Sequence, residues 1–313
     1  MTSKEARHTV ALQQLRELRD TPAAQVRYAM ELLDRERGFR VVAAALAVLA
    51  AHPGPGTRAS VLPVYAYYDA DGVKRDPSCE LRVAALTALQ PVAEAADSAL
   101  AERAVTTYEF LPPTRAESAT SIRAAGLLLL AGLDPPAASY HAVRLLTDPY
   151  TARMSGQPAL TAARVLADQG QTLPLYYYAV DPRDSPAEVR AECLRSLSAI
   201  PATLLAGLVA QYRETREDLV LAGLFDLVLE HPAGPEYAAW IAEFLHTTRR
   251  YPVYHYLVTA LVATRQPTLI ALLLAAGQDE SDPRKREILA PALDLAHGDP
   301  AAAALAADLR RIP

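Results

Sequence analysis

The sequence predicts an all-α fold in which antiparallel helix pairs stack into a superhelix, and three observations predict it. Ala and Leu, both strong helix formers, make up about a third of the 313 residues. Apolar residues recur at helical spacing from end to end, as in Leu81, Ala84, Ala85, Leu89 and in Leu219, Ala222, Gly223, Leu227. Short turns rich in Pro, Gly and Asp separate these segments, and one polar motif returns roughly every 30–41 residues, inside the window of two-helix repeats.

The elements follow in order. Residues 4–20, 22–36 and 38–52 form a first group of three helices. Next come 57–69, 78–91, 97–111, 116–132, 136–147, 157–169, 172–180, 186–199, 201–213, 216–230, 234–248, 252–264, 266–277, 284–297 and 299–311. The punctuation is helical: Asp76-Pro77, Asp184-Ser185-Pro186 and Asp282-Pro283 each put a capping residue and then Pro ahead of a helix. The acidic loop Asp279-Glu280-Ser281-Asp282 reads as a helix approach with an N-cap.

The repeating motif is specific. Asp76-Pro77 leads to Glu80-Leu81-Arg82-Val83-Ala84-Ala85-Leu86, and Glu117 to Ser121-Ile122-Arg123-Ala124-Ala125. Asp184 leads to Glu188-Val189-Arg190-Ala191, and Thr21-Pro22 to Gln25-Val26-Arg27-Tyr28-Ala29. An acid or hydroxyl sits about six positions before an Arg, with an aliphatic residue just ahead of that Arg. These residues resemble the HEAT and HEAT-like repeat family, including the phycobilisome-lyase type. At 284–297 the Asp-Pro remains while the Arg position is Ile288, and at 216–230 the slot holds apolar or acidic residues.

The resemblance implies a single right-handed α-solenoid over 1–313. Pairing the helices so that the Arg-bearing one comes second gives about seven pairs over 57–297, with 1–52 as an N-terminal cap and 299–311 as a C-terminal one. Each pair has an apolar face that only a neighbouring pair can bury.

Charge and composition narrow the function. With 31 Lys+Arg against 36 Asp+Glu the net charge is −5, which argues against a general nucleic-acid binder. Its best basic clusters, Arg249-Arg250, Arg284-Lys285-Arg286 and Arg310-Arg311, are short. The absence of Asn and the preference for Arg over Lys fit a GC-rich bacterial genome. Cys79 and Cys193 have no CxxC or Cys/His company and are expected to be reduced, partly buried thiols. No signal-peptide core or membrane-length apolar run appears, so the expected location is the cytoplasm.

Two residue series are candidate contacts. Arg82, Arg123 and Arg190, with Arg27, read either as a structural ladder of acid–Arg bridges or as a basic track for an acidic partner. Tyrosine is in excess, 15 against 4 Phe. Leu62-Pro63-Val64-Tyr65-Ala66-Tyr67-Tyr68, Leu173-Pro174-Leu175-Tyr176-Tyr177-Tyr178 and Tyr251-Pro252-Val253-Tyr254-His255-Tyr256 look alike. Such rings either fill the core or form an aromatic ridge. The expected partner surface comprises Tyr65, Tyr67, Tyr176, Tyr178, Arg82, Arg123 and Arg190.

No catalytic or cofactor motif is present. Asp69-Ala70-Asp71-Gly72 with Glu80 fails as a calcium loop, because Val73 stands where an oxygen ligand belongs and Lys74 where the turn Gly belongs. The seven His, from His8 to His297, form no HExxH and no i, i+4 pair. No resident metal or cofactor is expected. The expected function is a non-enzymatic protein-interaction scaffold using the concave face of the solenoid. The alternatives are a nucleic-acid-binding HEAT-like protein and a HEAT-fold enzyme, glycosylase-like or bilin-lyase-like. No His is followed by Glu, which removes the deoxyhypusine-hydroxylase type, and Trp240 is the lone Trp where the glycosylases use several aromatic residues.

Overall fold

The computed structural model describes residues 3–181, 185–278, 280–296 and 299–311. Among these, the backbone forms nineteen α-helices and one short hairpin. The first ten helices are α1 (Ser3–Glu17), α2 (Pro22–Arg35), α3 (Phe39–Ala51), α4 (Thr57–Asp69), α5 (Gly72–Arg75), α6 (Glu80–Leu89), α7 (Ser98–Val105), α8 (Thr120–Leu133), α9 (Pro135–Leu146) and α10 (Ala159–Asp168). The remainder are α11 (Thr172–Val180), α12 (Ala187–Arg195), α13 (Ala202–Tyr212), α14 (Asp218–Glu230), α15 (Ala238–Thr247), α16 (Tyr251–Ala263), α17 (Pro267–Gln278), α18 (Pro283–Asp294) and α19 (Pro300–Arg311). Between α7 and α8, β1 (Phe110–Leu111) pairs antiparallel with β2 (Ala116–Glu117).

The expected helices are present, with two corrections. The helical segments expected at 97–111 and 116–132 are shorter, because 110–117 is a hairpin. Pro112 and Pro113 supply no amide proton, which stops a helix from running through this stretch. The one-turn helix α5 was not expected. The caps are as read at the third site: the Asp282 side chain accepts from the Arg284 amide at 2.9 Å. Asp76 caps from further away, accepting the amides of Leu81 and Arg82 at 3.2 and 3.0 Å across the turn that ends in Cys79. Asp184, Asp279 and His297 lie outside the described residues.

The helices pack into two compact units, residues 1–169 and 170–313. In the first, α3 packs on α6, α6 on α8 and α8 on α10, and α2, α4, α7 and α9 cover that row. In the second, α12, α14, α16 and α18 pack in succession, with α11, α13 and α17 against them. The protein is therefore all-helical, with the neighbour-to-neighbour packing a helical repeat makes. Of the helices that carry the expected Arg, α6, α8 and α12 belong to the successive rows, whereas α2, with Arg27, is one of the covering helices.

Two glycines allow close contact between neighbouring helices. A Cβ on Gly126 of α8 would lie 2.7 Å from Ala104 Cβ and 2.8 Å from the Val105 amide nitrogen of α7. One on Gly223 of α14 would lie 2.6 Å from the Ala191 carbonyl oxygen of α12. Aliphatic side chains fill the rest, with Leu86, Ile122 and Leu130 sealed in the first unit and Leu194, Leu224 and Leu257 in the second. No helix among the described residues is long and apolar enough to cross a membrane.

Candidate functional site

The Arg series is the natural starting point, because a guanidinium cannot shed its charge when buried and must be paired. Arg82, the third residue of α6, is wholly buried. Its Nη1 and Nη2 donate to the two Glu109 carboxylate oxygens at 2.5 and 2.7 Å, and its Nε to Asp76 Oδ2 at 3.2 Å. Nη2 also reaches the Asp76 carbonyl at 3.2 Å. Burial opposes the charge, but the Glu109 hydrogen bonds and field outweigh it and hold the guanidinium's pKa above its ordinary value. Gly72 of α5 roofs this pair so closely that any Cβ there would collide with Arg82 Nη1 and Glu109 Oε1.

Arg123, the fourth residue of α8, repeats the device. It too is wholly buried and forks onto Glu117, with Nη1 to Oε1 at 2.8 Å and Nη2 to Oε2 at 3.1 Å. Nη1 also donates to the Thr107 carbonyl at 2.9 Å. Its Nε lies 3.0 Å from Asp148 Oδ2, an ion-pair contact without hydrogen-bond alignment. The guanidinium stands 4.0 Å over the Tyr108 ring, and the Tyr108 hydroxyl donates to Asp148 at 2.9 Å. Burial and then that hydrogen bond raise the Tyr108 pKa.

Two further cations complete the set. Arg190, half-buried, donates to the Ser185 hydroxyl at 2.8 Å and the Asp181 carbonyl at 3.2 Å, 5.9 Å from the Tyr212 ring. Lys285 is buried, donates to the Leu245 and His246 carbonyls at 2.8 Å each, and stands 5.3 Å from the Tyr254 ring. Sequence spacing pointed to Ile288 as the slot in this repeat. Counted from the helix start, however, Lys285 is the third residue of α18, as Arg82 is of α6. Arg27 departs the other way: it is exposed on α2, in the covering row.

The burial corrects four expected partner contacts. Arg82 and Arg123 are sealed in ion pairs, and Tyr65 and Tyr178 are core residues exposed by 1% and 3%. None of the four offers a surface to a partner. Tyr65 carries a buried hydroxyl with no hydrogen-bond partner, and burial raises its pKa well above the ordinary phenol value. Of the other three, Arg190 and Tyr176 are half-buried. Tyr67 is exposed, with the Arg75 and Arg37 guanidiniums 4.4 and 5.3 Å from its ring centre.

The Arg and Tyr series thus converge. Arg123, Arg190 and Lys285 each stand over a tyrosine ring, so three of the 15 tyrosines, Tyr108, Tyr212 and Tyr254, face cations. One carboxylate of the acidic turn is drawn in as well: Asp69 lies 3.9 Å from Arg82 and 3.7 Å from Arg103. Among the described residues no group of three His, Cys, Asp or Glu is placed to hold a metal ion. Cys79 and Cys193 are both buried free thiols; that of Cys79 donates to the Ser118 carbonyl at 3.3 Å, and burial pushes it up to about 11.

The hairpin carries the exposed surface that sequence reading missed. Phe110, Pro112, Pro113, Arg115 and Tyr150 line an open groove of about 690 Å3. The Tyr150 ring lies edge-on to Phe110 at 5.4 Å and to Tyr108 at 5.8 Å, making a row of three rings. Phe110 and Tyr150 remain 43% and 45% exposed, so this apolar surface is offered outward rather than spent on the core. The groove is anchored from beneath. Glu109, just before β1, and Glu117, in β2, grip Arg82 and Arg123, and Asp148 Oδ1 accepts the Tyr150 amide at 2.8 Å. The Tyr108-Glu109-Phe110 and Leu111-Pro112-Pro113 runs were the available signal.

No protein-family model, curated protein or solved structure matches the chain.

Proposed function

We propose that this protein is a non-enzymatic protein-interaction scaffold, built on HEAT-like α-solenoid repeats and working in the cytoplasm. The supporting observation is the exposed aromatic row of Phe110 and Tyr150, with Pro112, Pro113 and Arg115, on a hairpin whose carboxylates hold two fully buried arginines. Aromatic rings with a neighbouring Arg are the residue types that dominate protein interfaces, and rigid mounting lowers the ordering cost of binding. Alternate-helix packing within each unit supports the repeat reading. The two buried free thiols fit a reducing compartment.

In this reading the contact surface includes the hairpin groove and Tyr67, and the buried arginines set the register between repeats. The test is a tagged capture of the full chain after nuclease treatment, read by mass spectrometry. One dominant stoichiometric protein is expected. Capture that vanishes with nuclease would transfer the function to nucleic acid, and no partner at all would overturn the scaffold.

A further inference from the structure

The groove's own chemistry says what kind of partner segment it takes. Its walls are two ring edges and two prolines, and such surfaces hold extended proline-containing peptides, whose polyproline conformation is already ordered before binding. Strand addition is disfavoured here: each hairpin strand has two residues, and Pro112 and Pro113 have no N–H to donate to an added strand.

The charge pattern is one-sided. Arg115 is the only charged residue lining the groove, and among the described residues its guanidinium has no hydrogen bond or ion pair with a carboxylate. The acids closest in the chain are turned away: Glu109 onto Arg82, Glu117 onto Arg123, and Asp148 onto Arg123 and Tyr108. The groove therefore presents a positive edge beside an apolar floor, which attracts a carboxylate and repels Lys and Arg.

We infer that the hairpin groove binds an extended segment of a partner protein in which a proline lies next to an Asp or Glu. The proline packs on Phe110 and Tyr150, and the carboxylate pairs with Arg115. This inference rests on the scaffold reading above and adds the partner's chemistry to it. Little rearrangement is needed, because the hairpin ends and the Tyr150 backbone are already fixed by Arg82, Arg123 and Asp148.

The experiment is a fluorescence-anisotropy titration of the full chain with three labelled alanine-based peptides carrying central EPPE, KPPK or EGGE. The wild-type chain is expected to bind EPPE about ten-fold more tightly than KPPK or EGGE. Arg115→Glu is expected to reverse the order of EPPE and KPPK. Both residues carry a side chain at the left-handed backbone angle of 55°, so the exchange adds no new backbone strain. Phe110→Ala with Tyr150→Ala is expected to abolish binding while the thermal transition persists.

Equal affinity for EPPE and KPPK, an unreversed order in Arg115→Glu, or no binding of EPPE would overturn the inference. The same variants used in the capture experiment separate this inference from the broader reading. A stoichiometric partner that survives both Arg115→Glu and the double variant leaves the scaffold standing and removes the groove. Absence of any partner, with EPPE binding intact, confines the failure to the scaffold.

Discussion

Glu109 accepts two hydrogen bonds from the sealed guanidinium of Arg82, 27 residues before it, at 2.5 and 2.7 Å. The pair is bidentate and its arginine is sealed, so its energetics are dominated by what a broken partnership leaves behind. Arg82→Ala strands Asp76 and Glu109 and is expected to cost about 3–5 kcal/mol, read as a shift of the urea midpoint. Arg82→Lys keeps the charge but loses the fork and should fall between the two. A loss under about 1 kcal/mol for the alanine variant would show that the network contributes little.

Tyr65 makes the opposite case. The residue is 1% exposed, and its buried hydroxyl finds no hydrogen-bond partner. Removing an unsatisfied buried group is neutral or favourable, so Tyr65→Phe is expected to leave stability unchanged or raise it by about 1 kcal/mol. A fall of that size in a chemical denaturation curve would refute this account of the hydroxyl.

Gly223 lies where α14 presses on α12, with no room for a methyl against the Ala191 backbone. Helix propensity alone favours Gly223→Ala by about 1 kcal/mol. Overpacking against backbone is expected to outweigh it, for a net loss of about 1–3 kcal/mol in thermal unfolding. A gain in stability would mean that α12 and α14 separate readily.

Two aspartates should titrate on opposite sides of the ordinary value of 3.8. Asp97 accepts from Arg58 Nη2 and Nε at 2.7 and 2.8 Å, which lowers its pKa, with the Glu94 amide adding to the effect. Its stabilising contribution is full above 3.8 and lost as pH falls through the folded pKa. Asp226 is raised by burial, although the Tyr256 hydroxyl at 2.6 Å and Arg195 act against this. Its contribution is full below 3.8 and lost as pH rises through its folded pKa. Carboxyl-carbon NMR titration reads both midpoints directly. Arg58→Met should return Asp97 towards 3.8 and leave Asp226 where it was; coincident wild-type midpoints would sink the assignment.

Sequence reading found the helices because apolar residues at a 3.6 period persist through nearly every segment. It missed 110–117 because two-residue strands are too short to show a period of 2, and apolar Phe110 and Leu111 read as a continuation of the preceding helix. The Arg series was legible as a repeat, but burial was not. Glu109 lies 27 residues from Arg82 and Asp148 lies 25 from Arg123, distances no local motif reports. Lys285 escaped because spacing was counted from the capping Asp, whereas the turn after Asp76 delays the helix start and that after Asp282 does not. The groove was out of reach for a similar reason: Tyr150 joins Phe110 from 40 positions away.

The hairpin also bears on how this part of the chain comes apart. Helical repeats can open one at a time from an end. Here Glu109 and Glu117 belong to one hairpin and hold the guanidiniums of α6 and α8 separately. Fraying either helix strands a cation and frees a carboxylate of the hairpin, which loosens the same loop that holds the other helix. Residues 76–123 should therefore lose amide protection as one cooperative block in native-state hydrogen exchange.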